Sequence, residues 1–584
     1  MKLPKAGTIT CTPFIEEFRK YSFSYFKNDV WAALAVALMT IPQSIAYALL
    51  AGLPPRAGFY SAIFGTIFSA SLGSSRVLIS GPSTGTAILI QTSIAEVLYA
   101  YYATATGLEK EAIVLHILTQ IVIIMGIIQI LAAFFNVSKL LQFVSRPVVL
   151  GYFAGITVAI ISTQIFYFTG VSKGSNIADS TLLKIWVFFS QIFTISFPTV
   201  ILGVFSLALL ILIRKIWKKL PDALIMLVIA AGIAYFMNLS FDQAIVKRLG
   251  DLEITREPIP QLTFPIIDLT LINKVFPAAV AISLLGILEI FSISRTFAAK
   301  SGHRTVVNQD VFGLGIANAL LSFIYGTLPA SGSATRTSLN YQMEGKTRAA
   351  AIFSGIFTGI IVLSCWPLVK LIPLSALAAL LMATVPTLMN WGEIRLCFYA
   401  TKEDATVFLI TFISCLIFSL DIAFFIGIVI SIASYLRKSA TPHLVEYAFN
   451  SKGRLIVISA KAEVHRKVRI IGIAGELYFA SADIFQTAIQ SIAEDKKTAA
   501  IVLRLNNIYH MDASMCLAIL NLYESLHFTR RHLVISGLTE EVWHVFHRAG
   551  LVKQIGLDNL YFTDETNPQF STWKACLRAQ ELIQ

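Results

Sequence analysis

The chain has 584 residues, of which 56% are hydrophobic and 14% charged, with a formal net charge of +12. Soluble domains carry about 25% charged and about 45–50% apolar residues, so a soluble globular protein is all but excluded and the apolar surplus must face lipid. Of the 46 Lys and Arg, 31 fall in residues 1–439, against 20 of the 34 acidic residues. They stand in short segments between hydrophobic runs, the pattern of membrane topology and not of nucleic-acid binding.

Residues 1–29 carry charge and no sustained apolar core, so no cleavable signal peptide is visible and a cytoplasmic N-terminus is expected. Apolar runs able to cross a bilayer follow near 30–51, 57–73, 83–103, 112–135, 147–169, 198–217, 222–238, 276–298, 306–324, 332–344, 347–365, 370–390, 404–420 and 421–438. With the N-terminus inside, 21 Lys and Arg fall in cytoplasmic segments and nine in external ones, which places the end of the last span in the cytoplasm as well. The expected division is a segment 1–29, a transmembrane part 30–438 and a soluble tail 439–584. Fourteen spans split as seven plus seven about the Pro- and charge-rich stretch 239–275, giving repeats 30–238 and 276–438. A repeat with an odd number of spans inserts its second copy upside down, the logic of secondary transporters.

In each repeat the third span opens on a polar break: Arg76-Val-Leu-Ile-Ser-Gly-Pro-Ser-Thr-Gly-Thr86 and Tyr325-Gly-Thr-Leu-Pro-Ala-Ser-Gly-Ser-Ala-Thr-Arg336. Each reads as a short extended run followed by hydroxyl residues that start a helix. Broken helices at membrane depth are tolerated only in protein or beside a water-filled cavity. Two helix N-termini that face each other offer free N–H donors and about half a positive charge each, which suits an anion. Close packing of small residues is the competing reading of one such cluster; the pair favours an anion site, with Arg336 adding a full charge. Glu289, in the middle of a span, is costly there unless it faces a cavity or a partner; it is read as the proton-coupling carboxylate, with a structural ion pair to Arg336 as the alternative.

The run Pro42-Gln-Ser-Ile-Ala-Tyr47 through Pro54-Pro-Arg-Ala-Gly-Phe-Tyr60, with Gly73-Ser-Ser-Arg76 and Gly81-Pro82, resembles the signature of SulP anion transporters, the sulfate permease family. So does Pro329-Ala-Ser-Gly-Ser-Ala-Thr-Arg-Thr-Ser-Leu-Asn-Tyr341 with Gly345-Lys-Thr347. The resemblance implies a polytopic α-helical membrane protein with fourteen transmembrane helices in a seven-plus-seven inverted repeat. A core domain (spans 1–4 and 8–11) would move elevator-fashion against a gate domain (spans 5–7 and 12–14). It further implies a homodimer, a small-anion substrate and a substrate site at Gln43 and Tyr47, at Ser83, Thr84, Gly85 and Thr86, and at Ser333, Ala334, Thr335 and Arg336. Family members carry at the place of Glu289 a carboxylate tied to coupling. Here Ile293, one turn on, is not a hydroxyl residue, so a proton is expected over sodium, while Ser292 and Ser294 keep sodium in view.

Beyond Lys438 the segments Arg454–Ile458, Val468–Ile473 with Leu477–Phe479, Ala499–Arg504 and Leu533–Ile535 read as strands, and 482–494, 513–530 and 539–550 as helices, a small α/β domain. Gly475-Glu-Leu-Tyr-Phe-Ala-Ser-Ala482 and Ile508-Tyr-His-Met-Asp-Ala-Ser514 resemble a STAS domain. Signalling members place a phosphorylatable Ser or Thr directly after that Asp; here Ala513 stands there, so docking to a cytoplasmic protein or dimer support is the expectation. The six cysteines form no CxxC pair, and His544 and His547 have no third ligand nearby, so neither a metal nor a cofactor is expected.

Together these readings give secondary active transport of a small anion, of the sulfate, bicarbonate or dicarboxylate class, coupled to protons through Glu289. An exchanger or uncoupled channel is the nearest alternative, followed by a nucleobase carrier and by a membrane sensor signalling through the tail. No nucleophile, base and orienter stand together, so no enzyme is expected. The expected location is a plasma or bacterial inner membrane.

Overall fold

The computed structural model describes residues 21–584 apart from 103, 105–106, 138–143, 172–180, 217–220, 241–244, 253–258, 266, 303–304, 440–442, 451–452, 459–466, 475–476, 494–496, 509 and 565. Two compact units are present, Met1–Ser431 and Ile432–Gln584. The expected boundary at 439 falls a few residues later, at the end of the last apolar helix.

The first unit is helical. Its elements are α1 (Phe23–Leu50), α2 (Pro55–Tyr60), a π turn (Ser61–Gly65), α3 (Thr66–Leu72), β1 (Ser80–Gly81), α4 (Thr84–Tyr101), α5 (Gly107–Phe134), α6 (Arg146–Thr169), α7 (Thr181–Ser190), α8 (Phe197–Ile216) and α9 (Asp222–Ser240). There follow α10 (Leu269–Ser301), α11 (Val307–Leu321), β2 (Ser331–Gly332), α12 (Ala334–Gln342), α13 (Ala349–Val369), α14 (Leu374–Leu388), α15 (Trp391–Ala400), α16 (Lys402–Ile417) and α17 (Leu420–Ser439). Among the described residues eight helices are long and apolar enough to cross a membrane, or nine if the bent pair α14–α15 counts as one. The other expected spans coincide with shorter or broken helices. Two short helices, α7 and α15, were not expected; at ten residues each they fall below a spanning run and leave little hydropathy signal.

Helix ends follow the local chemistry. Ser22 caps α1 by accepting from Tyr25 N–H, and Asp268 caps α10 by accepting from Thr270 and Leu271 N–H. The chain leaves α6 at Gly170 and α10 at Gly302 in the left-handed region, with φ of 74° and 70°. Small residues let helix backbones touch. A Cβ on Gly126 of α5 would lie 2.5 Å from Ala319 N of α11, and one on Gly315 of α11 would lie 2.7 Å from Ile130 N of α5. Gly155 of α6 meets Cys415 of α16 in the same manner. These tight pairs make two packed groups of helices within the unit, α5 with α11 and α6 with α16.

The second unit is an α/β domain with strand order β4-β3-β5-β6-β7-β8, where β3 is His443–Phe449, β4 Leu455–Val457, β5 Val468–Ala474, β6 Ala500–Asn507, β7 His532–Leu538 and β8 Leu560–Phe562. The strands from β5 to β8 run parallel, and β3 is antiparallel to both its neighbours. Alternation along the buried strands sends Ile471, Leu503 and Ile535 into one core and Ile470, Val502 and Val534 into another. The first is covered by α18 (Phe479–Ala493), α19 (Ala513–Phe528), α20 (Glu540–Arg548) and α21 (Leu551–Ile555), the second by α22 (Phe570–Glu581) through Ala575 and Ala579. The expected strand Leu477–Phe479 is a correction: Leu477 makes one isolated bridge to Met511, and Phe479 already begins α18. Strands β3 and β8 and helix α22 were not expected from the sequence. Gly475, Glu476 and Tyr509 of the two STAS-like motifs lie outside the described residues.

Candidate functional site

The two polar breaks meet. Strands β1 and β2 pair antiparallel, with Ser80 opposite Gly332 and Gly81 opposite Ser331. Gly81 has a φ of 137°, a conformation that a side chain rarely allows. The extended stretches are tied further: Ser333 N–H donates to Ile79 O at 3.0 Å, Ile79 N–H to Thr337 Oγ1 at 3.0 Å, and Thr66 Oγ1 to Ser80 O at 2.6 Å. Irregular backbone at membrane depth needs such partners because lipid supplies none.

From each strand the chain turns directly into a helix. Ser83 caps α4 in a reciprocal capping box, its Oγ accepting from Thr86 N–H while Thr86 Oγ1 accepts from Ser83 N–H, both at 3.3 Å. Ser333 caps α12 by accepting from Arg336 N–H. Two helix N-termini thus start side by side from one two-residue ladder, where their positive ends add.

Glu289 of α10 joins both. The Ser83 hydroxyl donates to Glu289 Oε2 at 3.2 Å, and the Ser331 hydroxyl donates to the same oxygen. Gly85 makes the approach possible, since a Cβ there would stand 3.1 Å from Glu289 Oε1. A half-buried carboxylate is therefore held by one hydroxyl from each broken helix.

A cavity of about 710 Å³ opens beside this cluster. Of the expected site residues, Tyr47, Ser83, Thr84, Gly85, Glu289, Ser333, Ala334 and Thr335 line it. Gln43, Thr86 and Arg336 do not. Thr86 spends its hydroxyl on the capping box, and Gln43 is buried within α1. The Arg336 side chain turns back across Gly81, and its Nη2 donates to Pro82 O at 2.7 Å, so the full charge lies behind the cavity wall. No ion pair joins Arg336 to Glu289 among the described residues. Ser292 lines the cavity, whereas Ser294 donates to Asp310 Oδ2 at 2.8 Å and is turned away from it.

Two features escaped the sequence reading. Ser331 was passed over in favour of the helix-opening residues after it, although the repeated Ser-Gly pairs Ser80-Gly81 and Ser331-Gly332 were a usable signal. The facing wall, Val149, Tyr152 and Phe153 of α6, Thr384 and Leu388 of α14 and Phe424 of α17, is mostly apolar and looks like any membrane helix in sequence. In the second unit Asp512 accepts from Met515 N–H at 3.0 Å, capping α19, and from Phe479 N–H at 2.6 Å, so this Asp holds two helix starts together. Among the described residues no group of three or more His, Cys, Asp or Glu side chains is arranged to hold a metal ion.

The model of the sulfate permease family matches residues 26–411, and that of the STAS domain residues 459–566. The chain is 26% identical over 566 residues to "Sulfate transporter 4.1, chloroplastic" of Arabidopsis thaliana, covering 94% of this chain and 80% of the relative. It is 26% identical over 551 residues to "Putative sulfate transporter YvdB" of Bacillus subtilis (strain 168), covering 94% and 98%. The solved structure of murine Slc26a9, described as an anion transporter in the inward-facing state, matches with a TM-score of 0.87 at 18% identity, over 100% of this chain and 97% of that one, which shows a common fold. On these matches the chain belongs to the sulfate permease family, and it is a membrane transporter that carries a STAS domain.

Proposed function

We propose that the protein carries a small oxyanion across the membrane by secondary active transport, with a proton as the coupling ion and Glu289 as its acceptor. The observation that carries this reading is the shared use of Ser83 and Ser331. While Glu289 is ionised it takes both hydroxyl donors at the mouths of the two broken helices. Of the two, Ser83 lines the cavity, and an incoming anion needs that donor and is repelled by the carboxylate. Protonation removes the repulsion and releases the hydroxyls, so anion and proton load together.

Sulfate is the first candidate cargo, because the relatives from Arabidopsis and Bacillus are both named sulfate transporters; bicarbonate and dicarboxylates fit the same hydroxyl and N–H donors. Transport follows an elevator, in which fourteen spans divide into a core with α1, α4, α10 and α12 and a gate with α6, α14 and α17, the two walls of the cavity. The cavity reaches Arg146, at the start of α6, and Arg295, within the last two turns of α10, residues that the positive-inside rule assigns to the cytoplasmic side, which supports an inward-facing conformer. Both termini then lie in the cytoplasm of a plasma or bacterial inner membrane, and the protein works as a homodimer.

The test is uptake of labelled sulfate into liposomes holding purified protein, with and without an inward proton gradient. The gradient is expected to drive accumulation, and Glu289→Gln is expected to leave only gradient-independent exchange. Accumulation that still follows the gradient in Glu289→Gln would overturn the coupling role.

A further inference from the structure

Asn318 of α11 is fully buried and lies outside the cavity wall. Its side-chain amide pairs with the Ala330 backbone as a neighbouring strand would. Ala330 N–H donates to Oδ1 at 2.7 Å, and Nδ2 donates to Ala330 O at 3.1 Å. The second Nδ2 hydrogen goes to Gln129 Oε1 of α5 at 2.8 Å, so every polar group of the Asn318 side chain is used. Ala330 is the residue before β2, and the next one, Ser331, donates to Glu289. The two-residue ladder is short, and the amide extends it by one pair on the side that β1 does not cover.

Gln129 is also fully buried, and among the described residues its Nε2 has no hydrogen-bond partner. Gly286, one turn before Glu289, shows where that nitrogen points: a Cβ on Gly286 would lie 3.0 Å from Gln129 Nε2 and 3.5 Å from Ser331 Oγ. The amide of Gln129 and the hydroxyl of Ser331 thus border one small space beside the carboxylate. A buried donor left without a partner is costly and is rarely retained without a role.

We propose that Asn318, braced by Gln129, is a positioning residue for transport: it fixes the Ala330 peptide so that the Ser331 hydroxyl, itself buried behind the cavity-lining Gly332 and Ser333, stays on Glu289 and holds that carboxylate at the cavity. The inference rests on the coupling role given to Glu289 above.

Asn318→Asp keeps the shape but replaces the two Nδ2 donors with an oxygen facing Ala330 O and Gln129 Oε1, so it disrupts the clamp without leaving a void. In sulfate uptake measured across a pH series, Asn318→Asp is expected to raise KM about tenfold and to move the pH midpoint by about half a unit or more. Ser331→Ala is expected to produce the same shift, and the double variant no more than either alone, since both remove one function. Additive effects of the two changes, or a lower maximal rate with KM and pH midpoint unchanged, would overturn the proposal. Where Asn318→Asp does not fold, Asn318→Ala and the sulfate-induced rise in melting temperature at two pH values decide the same question: a rise reduced as much as in Ser331→Ala supports it, and an undiminished rise overturns it. If Glu289→Gln still follows the gradient, the coupling reading fails by itself, while the shared effect of Asn318 and Ser331 on sulfate binding still reports on the clamp.

Discussion

Arg336 lies against Gly81: a side-chain carbon at Gly81 would stand 2.7 Å from Arg336 Nη1. The arginine of one broken helix thus fills the place of a side chain in the other. Gly81→Ala is expected to fail twice, through that contact and through a φ of 137°, and to lose sulfate uptake while Gly232→Ala, at a helix glycine with open space around it and no positive φ, retains it. Normal uptake by Gly81→Ala would show that the strand and the guanidinium move apart freely.

Arg336→Lys tests whether the charge or the fork matters. Nη2 reaches Pro82 O across the ladder, and a lysine cannot both place its nitrogen there and fill the space over Gly81. Losing a charge-assisted bond to a buried carbonyl costs about 1.5–3 kcal/mol. Arg336→Lys is therefore expected to lower the melting temperature by several degrees and to impair uptake as severely as Arg336→Gln. Uptake preserved in Arg336→Lys would return the arginine to the direct anion-binding role expected from the sequence.

Ser83 has two roles that substitution can separate. Ser83→Ala removes both the cap on α4, worth about 1 kcal/mol, and a donor to Glu289. Ser83→Asp keeps a cap but places a second carboxylate beside Glu289. Ser83→Asp is expected to express well and transport nothing at pH 7 and above, recovering only as acid protonates both carboxylates, while Ser83→Ala transports with a raised KM. Sulfate uptake by both at similar rates would remove Ser83 from the site.

How far the sequence reveals this site depends on what each residue's signal measures. The paired breaks were legible because Gly, Pro, Ser and Thr are costly at membrane depth, and Glu289 because a carboxylate there is costlier still. Arg336 was legible as an exception, but its direction was not: whether a long side chain faces a cavity or folds back over a glycine is set by the partner strand, far away in the chain. Asn318 and Gln129 read as ordinary polar residues in membrane helices. The facing wall of Tyr152 and Phe424 carries no signal apart from hydropathy. In the tail, buried alternation exposed β5 to β7, whereas β3, next to the edge strand β4, and the edge strand β8 bury too little for the pattern to show.

Asp310 of α11 ties the loop after α3 to α10. Its Oδ1 accepts from Ser74 N–H at 2.6 Å and Ser75 N–H at 2.9 Å, and its Oδ2 from Ser294 Oγ at 2.8 Å. Asp310→Ala leaves those buried donors unmatched and is expected to destabilise the protein by about 2–4 kcal/mol, with Asp310→Asn recovering most of the loss. Thermal unfolding of the purified protein measures both; an Asp310→Ala protein as stable as the parent would contradict the assignment.

Cys516 gives a pH test in the STAS domain. Burial in α19, and then the charge of Asp512, push its thiol up to about 11. The neutral form is thus favoured by folding: the stability it contributes is complete below the ordinary thiol value of about 8.5 and is lost as pH rises toward the folded value. At pH 8.5 iodoacetamide is expected to label Cys516 far more slowly in the native protein than in urea, as read by mass spectrometry. Equal rates would place the thiol at the surface.

The two-residue ladder also sets an order of assembly during biosynthesis. Ser80 and Gly81 leave the ribosome with the first half of the chain, but the backbone they pair with, Ser331 and Gly332, is made only about 250 residues later, early in the second half. At about 5–20 residues per second that interval is roughly 10–50 s. Throughout it the first broken helix must be sheltered from lipid by something other than its final partner, since bilayer hydrocarbon satisfies no backbone group. The ladder thus cannot close until the second repeat has begun to emerge, and a nascent chain stalled before Ser331 exposes an unfinished strand.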